Sequence, residues 1–193
     1  MGTSDSQLFL LTGAPGAGKT AILDAVGDMV RRVGEPAREI LAEFRAAGDA
    51  RTHDRDWTEF VALLLRRSIR NHDEAARLDG RSLFDRGVPD CIAYASVLGV
   101  DPEPSERAAL TYRYNAEVLV LEPWEEIYST DDERTMSFSQ TLDFHAAVVD
   151  AYDRTGYRLV TVPKDTVAAR AAFVADFIRT RAEAGHGRPR SQS

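Results

Sequence analysis

The sequence predicts an α/β fold, a parallel sheet covered by helices on both faces. Three observations predict it. Short apolar runs alternate along the chain with longer segments whose apolar residues recur at helical spacing. The first apolar run leads straight into Gly13-Ala14-Pro15-Gly16-Ala17-Gly18-Lys19-Thr20, a loop of the form G-x-x-x-x-G-K-[ST]. The 193 residues are 44% hydrophobic and 28% charged, enough for one substantial core, placed at residues 1–181 with residues 182–193 as a disordered tail.

The elements follow in order. Residues 7–12 form a buried-type strand, and residues 18–26 continue as a helix that Gly27 can end. Residues 29–33 read as a second strand, residues 37–47 as a helix and residues 48–55 as a polar loop. Asp56 and Glu59 suit a capping box for a helix over 57–78, with Phe60, Val61, Leu64, Leu65 and Ile69 as its buried face. Residues 82–85 form a strand ending on a carboxylate. Helices follow at 89–98 and 104–114, then a strand at 118–121 and a polar, mobile loop at 122–135. Ser137 and Gln140 can cap a helix running to Arg154, whose apolar stripe is Phe138, Leu142, His145, Val149 and Tyr152. On that stripe His145 reads as a satisfied core histidine rather than a catalytic one. A last strand at 158–162 and a last helix at 167–181 complete the chain.

Each position of the glycine-rich loop answers a physical demand. The glycines allow a tight turn with backbone N–H groups pointing inward at phosphate oxygens. Lys19 supplies a point charge for the β- and γ-phosphates, and the Thr20 hydroxyl can ligate Mg²⁺. A strand before the loop and a helix after it are the context the motif requires. The loop therefore implies a bound nucleoside triphosphate, with ATP and Mg²⁺ expected and Gly13 to Thr20 as the binding residues.

Asp85 closes its strand at the end of the sheet where the phosphate loop also opens. Such a carboxylate can hold Mg²⁺ through water or accept the proton of an attacking hydroxyl. Arg86, Gly87 and Asp90 follow within one turn; the structural alternative is a strand-terminating salt bridge. Glu35 and Arg38, after the second strand, could grip a polar substrate from the other side, or be ordinary charge at a helix start. Arg134 lies among acids in the loop and is the natural cation for a lid that closes over the β–γ bridge, although those acids could simply pair with it. Trp124 could stack on a planar substrate or pack at the core's edge.

Other classes are disfavoured. A net charge of −7 argues against a nucleic-acid partner. Cys91 is the only cysteine and reads as a small buried hydrophobe, so no internal disulfide is possible. The four histidines lack metal-like spacing, no apolar run reaches the length of a spanning helix, and no secretory leader is evident. A cytoplasmic location is the expectation, as a monomer or homodimer.

With these residues identified, the chain resembles the P-loop kinase-like ATPases grouped as the AAA domain family of small bacterial proteins, whose relatives include a ribosylnicotinamide kinase domain. The resemblance covers residues 8–178. It rests on the phosphate loop, on Glu35-Pro36-Ala37-Arg38, on residues 84–90, and on residues 123–128 with Thr130, Asp131 and Arg134. Gly156-Tyr157 and Pro163 also match. It implies a P-loop NTPase α/β/α sandwich, a five-stranded parallel sheet of order 2-3-1-4-5 with a lid after the fourth strand. It also implies that Asp85 is the base or metal partner, with Arg86 near the phosphates. The sensor strand, intersubunit arginine finger and helical lid domain of a motor ATPase are not evident. The reading is an ATP- and Mg²⁺-dependent phosphotransferase acting on a hydroxyl of a small, nucleoside-like molecule. Lys19, Asp85, Arg86 and Arg134 would be catalytic, and Glu35, Arg38, Asp90 and Trp124 would line the acceptor pocket. The alternative is a nucleotide-dependent switch or slow ATPase acting on a protein partner.

Overall fold

The structure, a computed structural model, describes residues 7–46, 56–128 and 136–186. The apolar runs form five parallel strands: β1 (Leu8–Gly13), β2 (Arg31–Val33), β3 (Ser82–Asp85), β4 (Glu117–Leu121) and β5 (Arg158–Thr161). Their order is β2-β3-β1-β4-β5, the predicted one. All six residues of β1 are buried, because a central parallel strand is covered on both faces and its sequence need not alternate. Its side chains still do: Phe9 and Leu11 join one core and Leu8 and Leu10 the other.

On the Phe9 face lie α1 (Lys19–Val26) and α7 (Val167–His186), which contribute Ile22, Leu23, Val174 and Phe177. The Leu10 face is covered by α3 (Trp57–Ala76), α4 (Val88–Leu98) and α6 (Phe138–Arg154), with α5 (Glu103–Thr111) alongside. A third cluster, with Ile40, Phe60 and Leu64, packs α2 (Pro36–Ala46) onto α3 and α4. Asp56 caps α3 by accepting from the Thr58 and Glu59 amides at 2.9 and 3.1 Å. Ser137 and Gln140 form the full reciprocal capping box at the start of α6.

Three expectations shift. A single 3₁₀ turn occupies Gly27–Met29, so β2 begins at Arg31; the exposed Met29 side chain has no core to enter at that edge. Helix α7 continues to His186, past its expected end and into the stretch assigned to the tail. The buried stripe of α6 is Thr141, Phe144, Val148, Ala151 and Tyr152, while Leu142 and Val149 face outward. Thr141 turns its hydroxyl back onto the Phe138 carbonyl at 2.6 Å and so fits an apolar contact. That rotates the buried face away from the stripe the apolar letters suggest. Among the described residues no helix is long and apolar enough to cross a membrane.

Candidate active site

The phosphate loop leaves the C-terminal end of β1 beside β4, where the Ala14 amide donates to the Leu121 carbonyl at 3.1 Å. Gly13 has φ +123°, and a Cβ there would overlap that same carbonyl oxygen. Gly16 has φ +76°, and the Tyr128 ring lies where its Cβ would go, 2.6 Å from the nearest ring carbon. Both positions therefore require glycine on conformational and on steric grounds. Tyr128 is held over the loop by its hydroxyl, which donates to the Met136 carbonyl, and by an edge contact with Phe138 at 5.4 Å. Lys19 donates from Nζ to the Ala14 carbonyl at 3.1 Å. Burial, reinforced by Arg86, pulls its ammonium down to about 8, against the pull of Asp85, Glu35 and Asp90.

Asp85 ends β3 opposite Leu11 of β1, which brings it to the mouth of the loop. It is 5% exposed, and its Oδ1 is buried with no hydrogen-bond partner. Burial raises its pKa; Lys19 opposes the rise and Glu35 adds to it. Arg86, the one non-glycine residue with positive φ among those described (+70°), turns the chain so that its guanidinium points back into the protein. There Nε donates to Glu35 Oε1 at 2.9 Å and Nη1 to Asp90 Oδ1 at 3.0 Å, with the Phe144 ring 5.1 Å from its centre.

Asp90 is 1% exposed and fully engaged. Thr12 Oγ1 and Arg86 donate to Oδ1, and the Gly87 amide and the Tyr152 hydroxyl donate to Oδ2 at 2.8 and 2.6 Å. Expected at the acceptor pocket, it instead has its lone pairs engaged inside the protein. Glu35 also receives Arg38 Nε at 2.9 Å on Oε2 and the Tyr94 hydroxyl at 3.4 Å on Oε1. Burial raises the Glu35 pKa, but Arg86, Lys19 and Arg38 outweigh it and hold the carboxyl below the usual range. Arg38 is partly exposed, which leaves it facing outward from the cluster.

Trp124 falls elsewhere. It follows β4, on the other side of β1 from Glu35, and the Arg170 guanidinium of α7 sits 5.4 Å from its ring. Arg170 in turn donates to the Ala17 carbonyl at 2.9 Å, so Trp124 is tied to the phosphate loop and not to the Glu35–Arg38 cluster. Arg134, with Thr130 and Asp131, lies outside the described residues. Thr20 is half-buried at the second residue of α1. No group of three or more His, Cys, Asp or Glu among the described residues could hold a metal alone, so Mg²⁺ here would need phosphate and water oxygens as well. The orphaned Asp85 Oδ1 beside a glycine-rich cradle suits that arrangement.

Some site residues were not foreseen. Arg170, Tyr94 and Tyr152 carry no local signal; each acts on a partner far along the chain. His145 is half-buried, its Nδ1 is buried without a partner, and it is therefore not a satisfied core histidine. Cys91 is buried as expected, with its Sγ 3.6 Å from Ser68 Oγ.

A parallel 2-3-1-4-5 sheet with a glycine-rich phosphate loop on its central strand defines a P-loop kinase-like fold. The sequence matches the AAA domain family over residues 8–170, and the chain belongs to that family. A search of curated proteins finds no match. Among solved structures it is similar to the NadR protein crystallised with NR, at TM-score 0.67 and 18% identity; the match covers 92% of this chain but only 52%, about half, of that one. It is also similar to thymidylate kinase from Candida albicans (TM-score 0.63, 17% identity, 94% and 93% of the two chains). Deoxyadenosine kinase from M. mycoides matches at TM-score 0.64 and 12% identity, over 90% and 98% of the two chains. At such identities the likeness is one of fold.

Proposed function

We propose that the protein transfers the γ-phosphoryl group of ATP to a hydroxyl of a small, nucleoside-like molecule. The observation that carries this reading is Asp85: a buried carboxylate with one unpartnered oxygen, at the mouth of the phosphate loop and under the influence of Lys19. A structural carboxylate would be satisfied, as Asp90 is. An unsatisfied one of raised pKa is suited to take a proton from a substrate hydroxyl.

In this reading the amides of Gly13 to Thr20 cradle the triphosphate and Lys19 leaves the Ala14 carbonyl for the β- and γ-phosphates. Thr20, and Asp85 through water, would hold Mg²⁺, which when bound neutralises charge on the phosphate oxygens. Asp85 orients the acceptor hydroxyl and receives its proton as the oxygen bonds to phosphorus and ADP departs. Arg86 acts through its position, setting the Asp85 turn and holding Glu35, while Arg38 offers its exposed edge to the acceptor. Trp124 belongs to the donor side, and Arg134 is assigned the closing role over the β–γ bridge. Two of the similar structures are a thymidylate kinase and a deoxyadenosine kinase, which supports the acceptor class by analogy of fold.

The test is incubation with ATP, Mg²⁺ and a metabolite pool, with mass spectrometry for species gaining one phosphate, repeated with Lys19→Ala and Asp85→Ala. Transfer by the native protein and its loss in both variants is expected. Near-normal transfer by either variant removes the roles assigned here, and steady ATP hydrolysis without a phosphorylated product moves the protein to the switch class.

A further inference from the structure

Among the described residues, the buried polar atoms without a partner include Asp85 Oδ1 and His145 Nδ1, and also Arg170 Nε on the donor side against the phosphate loop. His145 follows Phe144 on α6, and Phe144 is in contact with both Arg86 (5.1 Å) and Tyr94 (4.8 Å), the residues that surround Glu35. Phe144 thus places this turn of α6 on the α4–α6 face of the sheet, opposite the α1–α7 face that backs the phosphate loop. Burial lowers its pKa, Glu122 past the end of β4 opposes the fall, and Arg86 and Lys19 add to it. Arg86 and Lys19 are also two of the three cations that act on Asp85, Arg38 being the third, so the imidazole and the Asp85 carboxyl lie in the field of the same pair. A buried ring nitrogen without a partner is costly, and a site that keeps one is set up to receive a polar group. A ring kept neutral beside two cations suits an uncharged hydroxyl better than a phosphate.

We infer that His145 is an acceptor-binding residue: its Nδ1 hydrogen-bonds a second hydroxyl of the acceptor, next to the one oriented by Asp85. The inference rests on the phosphotransferase reading and adds to it a requirement for two neighbouring hydroxyls. His145 then sets acceptor specificity and has no part in holding ATP.

The experiment compares native protein, His145→Ala and His145→Asn, each with ATP and Mg²⁺ and a panel of ribonucleosides together with their 2′-deoxy and 3′-deoxy counterparts. The metabolite pool serves as a parallel arm, and ATP affinity is measured by calorimetry. His145→Ala is expected to raise KM for ribonucleosides roughly tenfold or more with ATP affinity unchanged. The amide of His145→Asn can take the place of Nδ1 and recovers most of that loss. One deoxy series costs the native protein a similar factor and costs His145→Ala nothing further. Native KM in His145→Ala, or equal losses on ribo and deoxy acceptors, overturns the inference. So does a pool acceptor with a single hydroxyl when the whole panel is inert, and in that case the kinase reading stands. If nothing in either arm is phosphorylated, both fall.

Discussion

Arg86 and Asp90 are bonded to each other four residues apart at the start of α4, Nη1 to Oδ1 at 3.0 Å, with both side chains under 5% exposed. The bond is the centre of a network that also includes Glu35, Thr12, Tyr152 and the Gly87 amide. It joins the end of β3 to β1, α6 and the residue before α2. The phosphate loop and Asp85 rest on this network, so its members act on the site by holding its parts in register.

Asp90→Ala should therefore lower stability instead of selectively weakening acceptor binding. Removing one member of a buried ion pair costs about 3 to 5 kcal/mol, and here three more donors are left unpaired. Urea unfolding measures the loss. An Asp90→Ala protein of native stability with only a raised acceptor KM would return Asp90 to the pocket wall.

What the sequence makes legible here is local. The phosphate loop, the Asp85 strand end and the caps at Asp56 and Ser137 are each set by residues within a few positions, and each stands where expected. The partners of the site residues are not local. Arg86 meets Glu35 51 positions away, and Arg170 meets Ala17 153 positions away. No periodicity reports such pairs. The face of α6 was misread because Thr141 is polar by letter yet buried by bonding to its own helix, and that error concealed His145.

The two glycines at the loop's start should fail differently. At Gly13 the obstacle is the β4 backbone, which cannot move without breaking the sheet, whereas at Gly16 it is the Tyr128 side chain. Gly13→Ala should prevent stable folding. Gly16→Ala should keep a cost of about 1 to 2 kcal/mol from its left-handed backbone, plus a steric cost that Tyr128→Ala relieves. A double-mutant cycle in thermal denaturation reads both parts; additive Gly16→Ala and Tyr128→Ala effects would show that the ring does not rest on the loop.

Cys91 should be inert in the folded protein. Burial pushes its thiol up to about 12, so only about one molecule in ten thousand carries the thiolate at pH 8. Ellman's reagent should label the native protein slowly, at the rate of transient opening, and label it fully in denaturant. Fast labelling without denaturant would place the α3–α4 contact around Ser68 in doubt.

Glu35 sets an acid limit on stability. Burial works against its ionised form, yet Arg86, Lys19 and Arg38 prevail and depress its folded-state pKa. A carboxylate with a depressed pKa adds stability that is present above the unfolded value near 4.5 and lost as pH falls through the folded one. Glu35→Gln keeps the shape and one acceptor but removes the charge. It should cost on the order of 3 kcal/mol at pH 7, because Arg86 is left with only part of its counter-charge in a buried setting. The difference between native and variant unfolding free energies should then narrow from about pH 4.5 downward, where Glu35 of the unfolded chain binds a proton that the folded one does not, and level off once the folded carboxyl is protonated. Urea titrations of both proteins from pH 7 to pH 3 measure this directly. A gap that stays constant across that range would mean that the Glu35 charge does not stabilise the fold, and that Asp90 alone holds Arg86.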